Sequence, residues 1–182
     1  MLFRSPMSTC SVMRAPSGYG EVRIDLRATL DGARITLQVD IGFGDAVTPS
    51  PQAIRYPVLL DGLPAPQLRS YPKYTVVAEK LHAICLLGMA NTRMKDYFDL
   101  WVLMTEGTLD PAELRRAMKA TFERRQLALP AGLPAGLSDG FSSDAAKQAQ
   151  WAAFLKKNRL EALELAPVVA RLREEFQQCG IF

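Results

Sequence analysis

Apolar and polar residues alternate with a period of two in the first quarter of the chain. Every second residue of the run 21–30 is apolar, and the same alternation returns in residues 33–43. Asp31 and Gly32 separate the two runs, and this dipeptide is typical of a hairpin turn because glycine tolerates a positive φ. The pattern predicts a β-hairpin with one covered face. It must join further strands, since a hairpin alone is only marginally stable.

The segments on either side of this hairpin lack such alternation. Residues 1–19 predict an irregular lead-in to the first strand, without the continuous apolar run of a signal peptide. Residues 43–73 are rich in glycine and proline, which predicts a connector with one short strand at residues 56–60.

From about residue 75 the apolar positions recur at helical spacing. The predicted helices cover residues 75–87, 94–105, 111–125, 144–157 and 165–178. Thr75 is the expected N-cap of the first helix, which Gly88 ends. Asp110 caps the third, with Glu113 three residues later as in a capping box. Residues 127–143 predict a loop.

Strands therefore precede helices, which is the order of an α+β fold and not of a doubly wound sheet. We expect a partial sheet domain over residues 1–73 and a helical C-terminal domain over residues 74–182. The chain is 48% hydrophobic and carries a formal charge of +3. These values are typical of a globular protein and are compatible with a nucleic-acid partner without arguing for one.

Cysteine and histidine usage narrows the chemistry. The three cysteines are widely spaced and form no CxxC pair, which favours a reducing cytoplasm over a disulfide framework or a zinc site. His82 is the only histidine, so acidic residues and lysines must carry any chemistry unless His82 alone supplies a base. No apolar run reaches the ~18 residues that cross a bilayer, so we expect no membrane partner.

Lys80 lies in the middle of the apolar stripe of the first predicted helix. The residues on its face are Val76, Val77, Ala83, Ile84 and Leu87. An unpaired buried ammonium is costly, which favours either an acidic partner or a cleft that binds an anion. The alternative is that Lys80 reaches the surface along its aliphatic stem.

Asp96 and Asp99 share one face of the second predicted helix, which is apolar nearly all round. Two carboxylates on a buried helix need a cation. In one interpretation Asp96 favours the helix N-terminal dipole and Asp99 pairs with a neighbouring arginine. In the other, both acids face Lys80, and in either case Arg93 and Lys95 add positive charge nearby.

Asp40 stands at the end of the second predicted strand, opposite its apolar face and just before glycines. A carboxylate there can hold a hard divalent cation, and glycine allows a phosphate to approach the backbone. Glycine-rich loops after strands are common, so the alternative is a solvated strand residue.

Together these signals resemble a known family. The chain reads AEKLHA at residues 78–83 and NTRMKDYFDL at residues 91–100. This pair resembles the AEKLxA and NxRxKDxxDL helices of the AbiEii/AbiGii nucleotidyltransferase toxins. The runs LQVDIGFGDAVTP, KATFERRQLALP and DAAKQAQWAAFL fit the same family pattern, so the resemblance extends from about residue 19 to the C-terminus.

The resemblance implies a polymerase-β-like nucleotidyltransferase core joined to a helical domain. Such enzymes use Mg²⁺ to transfer a nucleoside monophosphate from an NTP to an acceptor. In this toxin family the acceptor is RNA, with tRNA as the known case, and an antitoxin is encoded beside the toxin. By resemblance, the assigned residues are Lys80, Arg93 and Lys95 for the nucleotide, Asp40 for the metal, and Asp40, Lys80, Asp96 and Asp99 for catalysis.

One family motif has no counterpart here. A Gly-Ser or Gly-Gly turn and a strand with Asp-x-Asp are expected upstream of residue 19, and residues 1–18 lack both. We therefore expect an N-terminally truncated nucleotidyltransferase. The first alternative is a catalytically dead remnant that binds nucleotide, RNA or antitoxin. The second is an interaction domain in which Lys80 and one aspartate form a structural ion pair.

Overall fold

Strands occupy the first part of the chain and helices the second. The computed structural model describes residues 9–11, 21–30, 33–59, 61–105 and 107–182. The order of elements confirms the predicted α+β class. By internal contacts the chain divides into two compact units, residues 1–45 and residues 46–182. The domain division expected at residue 73 stays a prediction.

The first unit contains a three-stranded antiparallel sheet. Its strands, in spatial order, are β1 (Thr9–Ser11), β2 (Glu21–Leu30) and β3 (Ala33–Gly42). The long strands β2 and β3 pair in register along their whole length, which confirms the predicted hairpin. Its turn at residues 31 and 32 lies outside the described residues. Residues 1–19 were expected to be irregular throughout. This was wrong for β1, in which Cys10 pairs with Ile24 of β2. Three residues are too few to show alternation.

The predicted covered face is not found on β3. Its apolar side chains are exposed, Leu37 by 52% and Val39 by 44%. The described residues of this unit form a single layer of three strands with no second layer over it, and a sheet face is buried only against another element.

The second unit begins with a short hairpin in the connector. Strands β4 (Gln52–Arg55) and β5 (Gln67–Ser70) pair antiparallel. The strand expected at residues 56–60 was therefore wrong for residues 56–59, and residue 60 lies outside the described residues. The Tyr56 N–H still donates to the Pro66 carbonyl oxygen at 2.9 Å, but Pro66 has no N–H with which to return the bond, so the ladder ends there.

Helices form the rest of this unit. They are α1 (Lys73–Leu87), α2 (Met94–Thr105), α3 (Pro111–Arg124), α4 (Asp139–Ser143), α5 (Ala145–Asn158) and α6 (Leu165–Gln178). Gly88 ends α1 with a φ of 49°. The expected N-cap was wrong, because α1 starts two residues before Thr75. The Thr75 hydroxyl instead donates to the backbone oxygen of Thr48 and accepts from its N–H, both at 2.9 Å.

The segment expected to be a loop over residues 127–143 is partly helical and buried. It contains a 3₁₀ turn (Ala135–Leu137) and α4, which Ser138 caps by accepting from the Phe141 N–H. Leu137 and Phe141 have no exposed surface. The Tyr97 hydroxyl donates to the Gly136 carbonyl oxygen at 2.9 Å and so ties this segment to α2. The proline and glycine content of the segment favoured a loop, so the 3₁₀ turn and the short helix α4 were not predicted.

Candidate functional site

Helices α1 and α2 bring one lysine and two aspartates into direct contact. Lys80 Nζ lies 2.8 Å from Asp96 Oδ1 and 2.7 Å from Asp99 Oδ2. Asp96 is only 3% exposed, and the Lys80 side chain is 16% exposed. We call these three residues the lysine–aspartate cluster. Both acids thus face Lys80, as in the second interpretation of their roles, and Lys80 does not extend into bulk water.

Hydrogen bonds at Asn91 fix the turn between α1 and α2. Asn91 is completely buried, and its Oδ1 accepts from the Arg93 N–H at 2.8 Å. The ammonium group of Lys147, on α5, donates to the Asn91 backbone oxygen at 2.9 Å. These contacts fix the turn that precedes α2 and tie it to α5. The sequence reasoning missed Lys147, although its spacing to Trp151 and Leu155 places all three on one buried helix face.

Arg93 and Lys95 flank the lysine–aspartate cluster at the surface. Arg93 Nε lies 2.8 Å from Asp96 Oδ2, but it is not aligned as a hydrogen-bond donor, so this buried oxygen has no hydrogen-bond partner in the described part of the chain. Lys95 pairs with Asp99. The three cations and two carboxylates together leave a net charge of +1.

The protonation states of the cluster follow from its contacts. Burial alone would lower the pKa of Lys80, but hydrogen bonds to Asp96 and Asp99 outweigh it and raise the pKa above its ordinary value. Burial alone would raise the pKa of Asp99, but hydrogen bonds from Lys80 and Lys95 outweigh it and lower that pKa. At neutral pH, Lys80 is therefore a cation and Asp99 an anion.

The Lys80 ammonium retains one uncommitted donor. An ammonium group has three N–H donors, and Asp96 and Asp99 take two of them. None of the described residues accepts from the third. A positively charged donor fixed in this way is suited to contact a phosphate oxygen.

Asp40 belongs to the first unit and has its own partner. Arg23, opposite it on β2, donates from Nε at 2.6 Å to Oδ1 and from Nη2 at 3.2 Å to Oδ2. Gln38 also donates to Oδ2, at 2.9 Å. The hydrogen bonds from Arg23 and Gln38 lower the pKa of Asp40. Both carboxylate oxygens are engaged, and the expected metal-binding and catalytic roles of Asp40 stay predictions.

Residues 4–179 match the model of a protein family described as nucleotidyl transferase AbiEii toxin, type IV TA system. The chain belongs to this family. Membership implies a nucleotide substrate and an antitoxin partner. No curated protein and no solved structure matched the chain. The polymerase-β-like form of the sheet therefore stays a prediction.

In this AbiEii family member the single histidine lies away from the lysine–aspartate cluster. His82 is buried on another face of α1, where its ring meets that of Phe122 edge-on at 5.2 Å. Burial, and then the charge of Arg125, lower the pKa of His82. The neighbouring Glu79 pairs with Arg125 at 2.9 Å. His82 is therefore a core residue next to α3.

The Mg²⁺ implied by the AbiEii family has no fitting site in the residues that are described. No group of three His, Cys, Asp or Glu side chains in them could hold a metal ion. At Asp40 a metal ion would have to displace Arg23 and Gln38.

Among the helices of the described residues, none has the length and apolar character that a membrane span requires.

Proposed function

We propose that this AbiEii toxin transfers a nucleoside monophosphate from an NTP to an RNA acceptor, with tRNA as the first candidate. The observation that carries the proposal is the lysine–aspartate cluster, in which two carboxylates hold the charged Lys80 with one donor to spare. In the reaction an acceptor hydroxyl oxygen bonds to the α-phosphorus, the bond from that phosphorus to the α–β bridging oxygen breaks, pyrophosphate leaves and the hydroxyl proton passes to water. Transfer of this type depends mainly on positioning and on stabilising charge at the phosphate oxygens.

The chain's own residues have distinct parts in this proposal. Lys80 donates to a phosphate oxygen of the NTP, while Asp96 and Asp99 keep it charged and in place. Arg93 and Lys95 supply further positive charge for the nucleotide. Asp40 is the proposed third carboxylate and metal ligand, a role that requires Arg23 and Gln38 to release its carboxylate oxygens.

The cellular setting belongs to the proposal as well. A cytoplasmic location is proposed because NTPs and RNA are found there. An antitoxin encoded beside the toxin is the proposed protein partner.

A direct assay with a matched control tests the proposal. The protein is incubated with each α-³²P-labelled NTP and total tRNA, beside the variants Lys80→Met and Glu79→Gln. Glu79 precedes Lys80 on α1 but pairs with Arg125 on another face. We expect label in RNA with the wild type and Glu79→Gln, and a loss of roughly 100-fold or more with Lys80→Met. Equal transfer by Lys80→Met would contradict the proposal.

A second candidate is a module that binds nucleotide, RNA or antitoxin without transfer. The engagement of both Asp40 oxygens by Arg23 and Gln38 favours it, because a transferase of this family would need carboxylates that are free to hold Mg²⁺. An NTP that binds the wild type but not Lys80→Met, with no label reaching RNA, would support this candidate over the transferase.

A further inference from the structure

A groove with a volume of about 510 Å³ lies between the start of α2 and the second half of α5. Its walls carry Arg93, Lys95 and Asp96 from the first and Gln150, Phe154 and Lys157 from the second. We call it the α2–α5 groove. Its volume falls within the range of roughly 300–1,000 Å³ that is usual for ligand sites.

The charges along the α2–α5 groove favour an anion. Arg93 and Lys95 are 61% and 71% exposed on one wall, and Lys157 is exposed on the other. Asp96 is the only carboxylate among the lining residues, and Lys80 already holds it. No carboxylate of a described residue pairs with Lys157.

The floor of the groove is aromatic and firmly held. The ring of Phe154 packs against Trp151 and Phe98, with ring centroids 5.7 and 5.8 Å apart, so its position is fixed. Phe154 is half-buried and therefore keeps part of its surface toward the groove. Positive charge beside a fixed aromatic ring is the combination that binds single-stranded nucleic acid, because cations contact the phosphates and bases stack on rings.

The α2–α5 groove ends at the lysine–aspartate cluster. Asp96 lines the groove and also accepts from Lys80 at 2.8 Å. A strand that occupies the groove therefore lies beside the aspartate that holds Lys80.

We infer that the α2–α5 groove binds the single-stranded end of the acceptor RNA. Lys157 contacts a phosphate of this strand and Phe154 lies against a base, while Arg93 and Lys95 on the opposite wall remain the cations proposed for the nucleotide. This inference rests on the proposed function and adds to it the class of acceptor and its place on the protein.

A pair of adjacent lysines tests the inference. Lys157 lines the groove, whereas Lys156 is also exposed but does not line it. Binding of a fluorescein-labelled oligouridylate is measured by anisotropy for the wild type, Lys157→Gln and Lys156→Gln over a range of salt concentrations. Loss of one phosphate contact weakens binding to a single strand roughly fivefold at about 0.1 M salt and reduces the salt slope by about 0.7. We expect this for Lys157→Gln only.

Three outcomes would overturn the inference: equal affinities of the two variants, equally strong binding of duplex RNA, or stronger binding of oligoglutamate than of oligouridylate. The last would identify an acidic protein segment as the ligand. The groove assignment and the transferase activity can be refuted independently of each other. If RNA is labelled and Lys157→Gln binds like Lys156→Gln, the groove assignment fails and the transferase stands. If Lys157→Gln alone loses RNA binding and no NTP labels RNA, the groove assignment stands and the transferase fails.

Discussion

Two aspartates of this protein, Asp96 and Asp40, form ion pairs of similar geometry in different surroundings. Lys80 lies 2.8 Å from Asp96, which is 3% exposed, whereas Arg23 lies 2.6 Å from Asp40, whose side chain is 55% exposed. Water screens the pair at the surface of the sheet, so its shorter contact stabilises the fold little. In the helical unit, removal of one partner leaves a charge in the interior. Burial therefore decides how much each ion pair contributes to the stability of the fold.

The largest expected effect is on the buried side of this comparison. Asp96→Ala leaves the Lys80 ammonium with one carboxylate and should lower the free energy of unfolding by roughly 3 kcal/mol. Asp139→Ala, which removes a carboxylate that is 83% exposed and paired with Arg173, serves as the control and should leave it unchanged. Urea unfolding followed by tryptophan fluorescence reports on this unit, which contains both tryptophans. Equal effects of the two variants would remove the distinction.

Packing beneath the cluster gives the next largest effect. A Cβ at Gly136 would lie 2.8 Å from Ile84 Cγ2 and 3.1 Å from the Ile84 backbone oxygen. Gly136→Ala should therefore destabilise the helical unit by about 1–3 kcal/mol. Gly132, in the same segment, has nothing within 4 Å of its added Cβ, so Gly132→Ala should be neutral. Thermal melts compare the two variants. An unchanged Tm for Gly136→Ala would show that the packing between this segment and Ile84 can adjust to an added methyl group.

The stability of the cluster should depend on pH through Asp99 on the acid side and through Lys80 on the alkaline side. The pKa of Asp99 is below its ordinary 3.8, so its stabilisation is complete above that value and is lost as the pH falls through the folded pKa. The pKa of Lys80 is above its ordinary 10.5, so its stabilisation is complete below that value and is lost as the pH rises through the folded pKa. The difference in Tm between wild type and Asp99→Asn should stay constant from about pH 5 to 9 and shrink below about pH 4. A difference that changes near neutrality would contradict these protonation states.

The smallest expected effect is on the surface side. Asp40→Asn should leave the Tm unchanged, because its pair with Arg23 is exposed to water. If Asp40 is the third carboxylate of the transferase, the same variant should lose transfer while the protein stays folded, as circular dichroism would verify. A lower Tm with transfer intact would show a structural role instead.

The sequence predicted those features that depend on local pattern. The pairing of β2 with β3, the Asp110 cap of α3 and the end of α1 at Gly88 all follow from residues close in the chain. The meeting of Lys80 with the two aspartates was one of the two interpretations that the sequence left open, since helical spacing places both acids on one face of the second helix.

Features that depend on distant contacts could not be read from the sequence. Thr75 has the composition of an N-cap, but its hydroxyl is used by Thr48, 27 residues away. Lys147 is polar, yet a backbone oxygen 56 residues away holds it in the interior. The α2–α5 groove likewise depends on how two helices from different parts of the chain pack together.

The most direct test of the account is NMR of the Lys80 ammonium during titration with an NTP. The ¹⁵Nζ resonance is assigned by its loss in Lys80→Arg, and Lys119, which is exposed on α3, serves as the internal reference. We predict that the NTP shifts the Lys80 signal and leaves that of Lys119 in place. Saturation with NTP, verified by calorimetry, with no change at Lys80 would contradict the claim that this ammonium contacts the nucleotide.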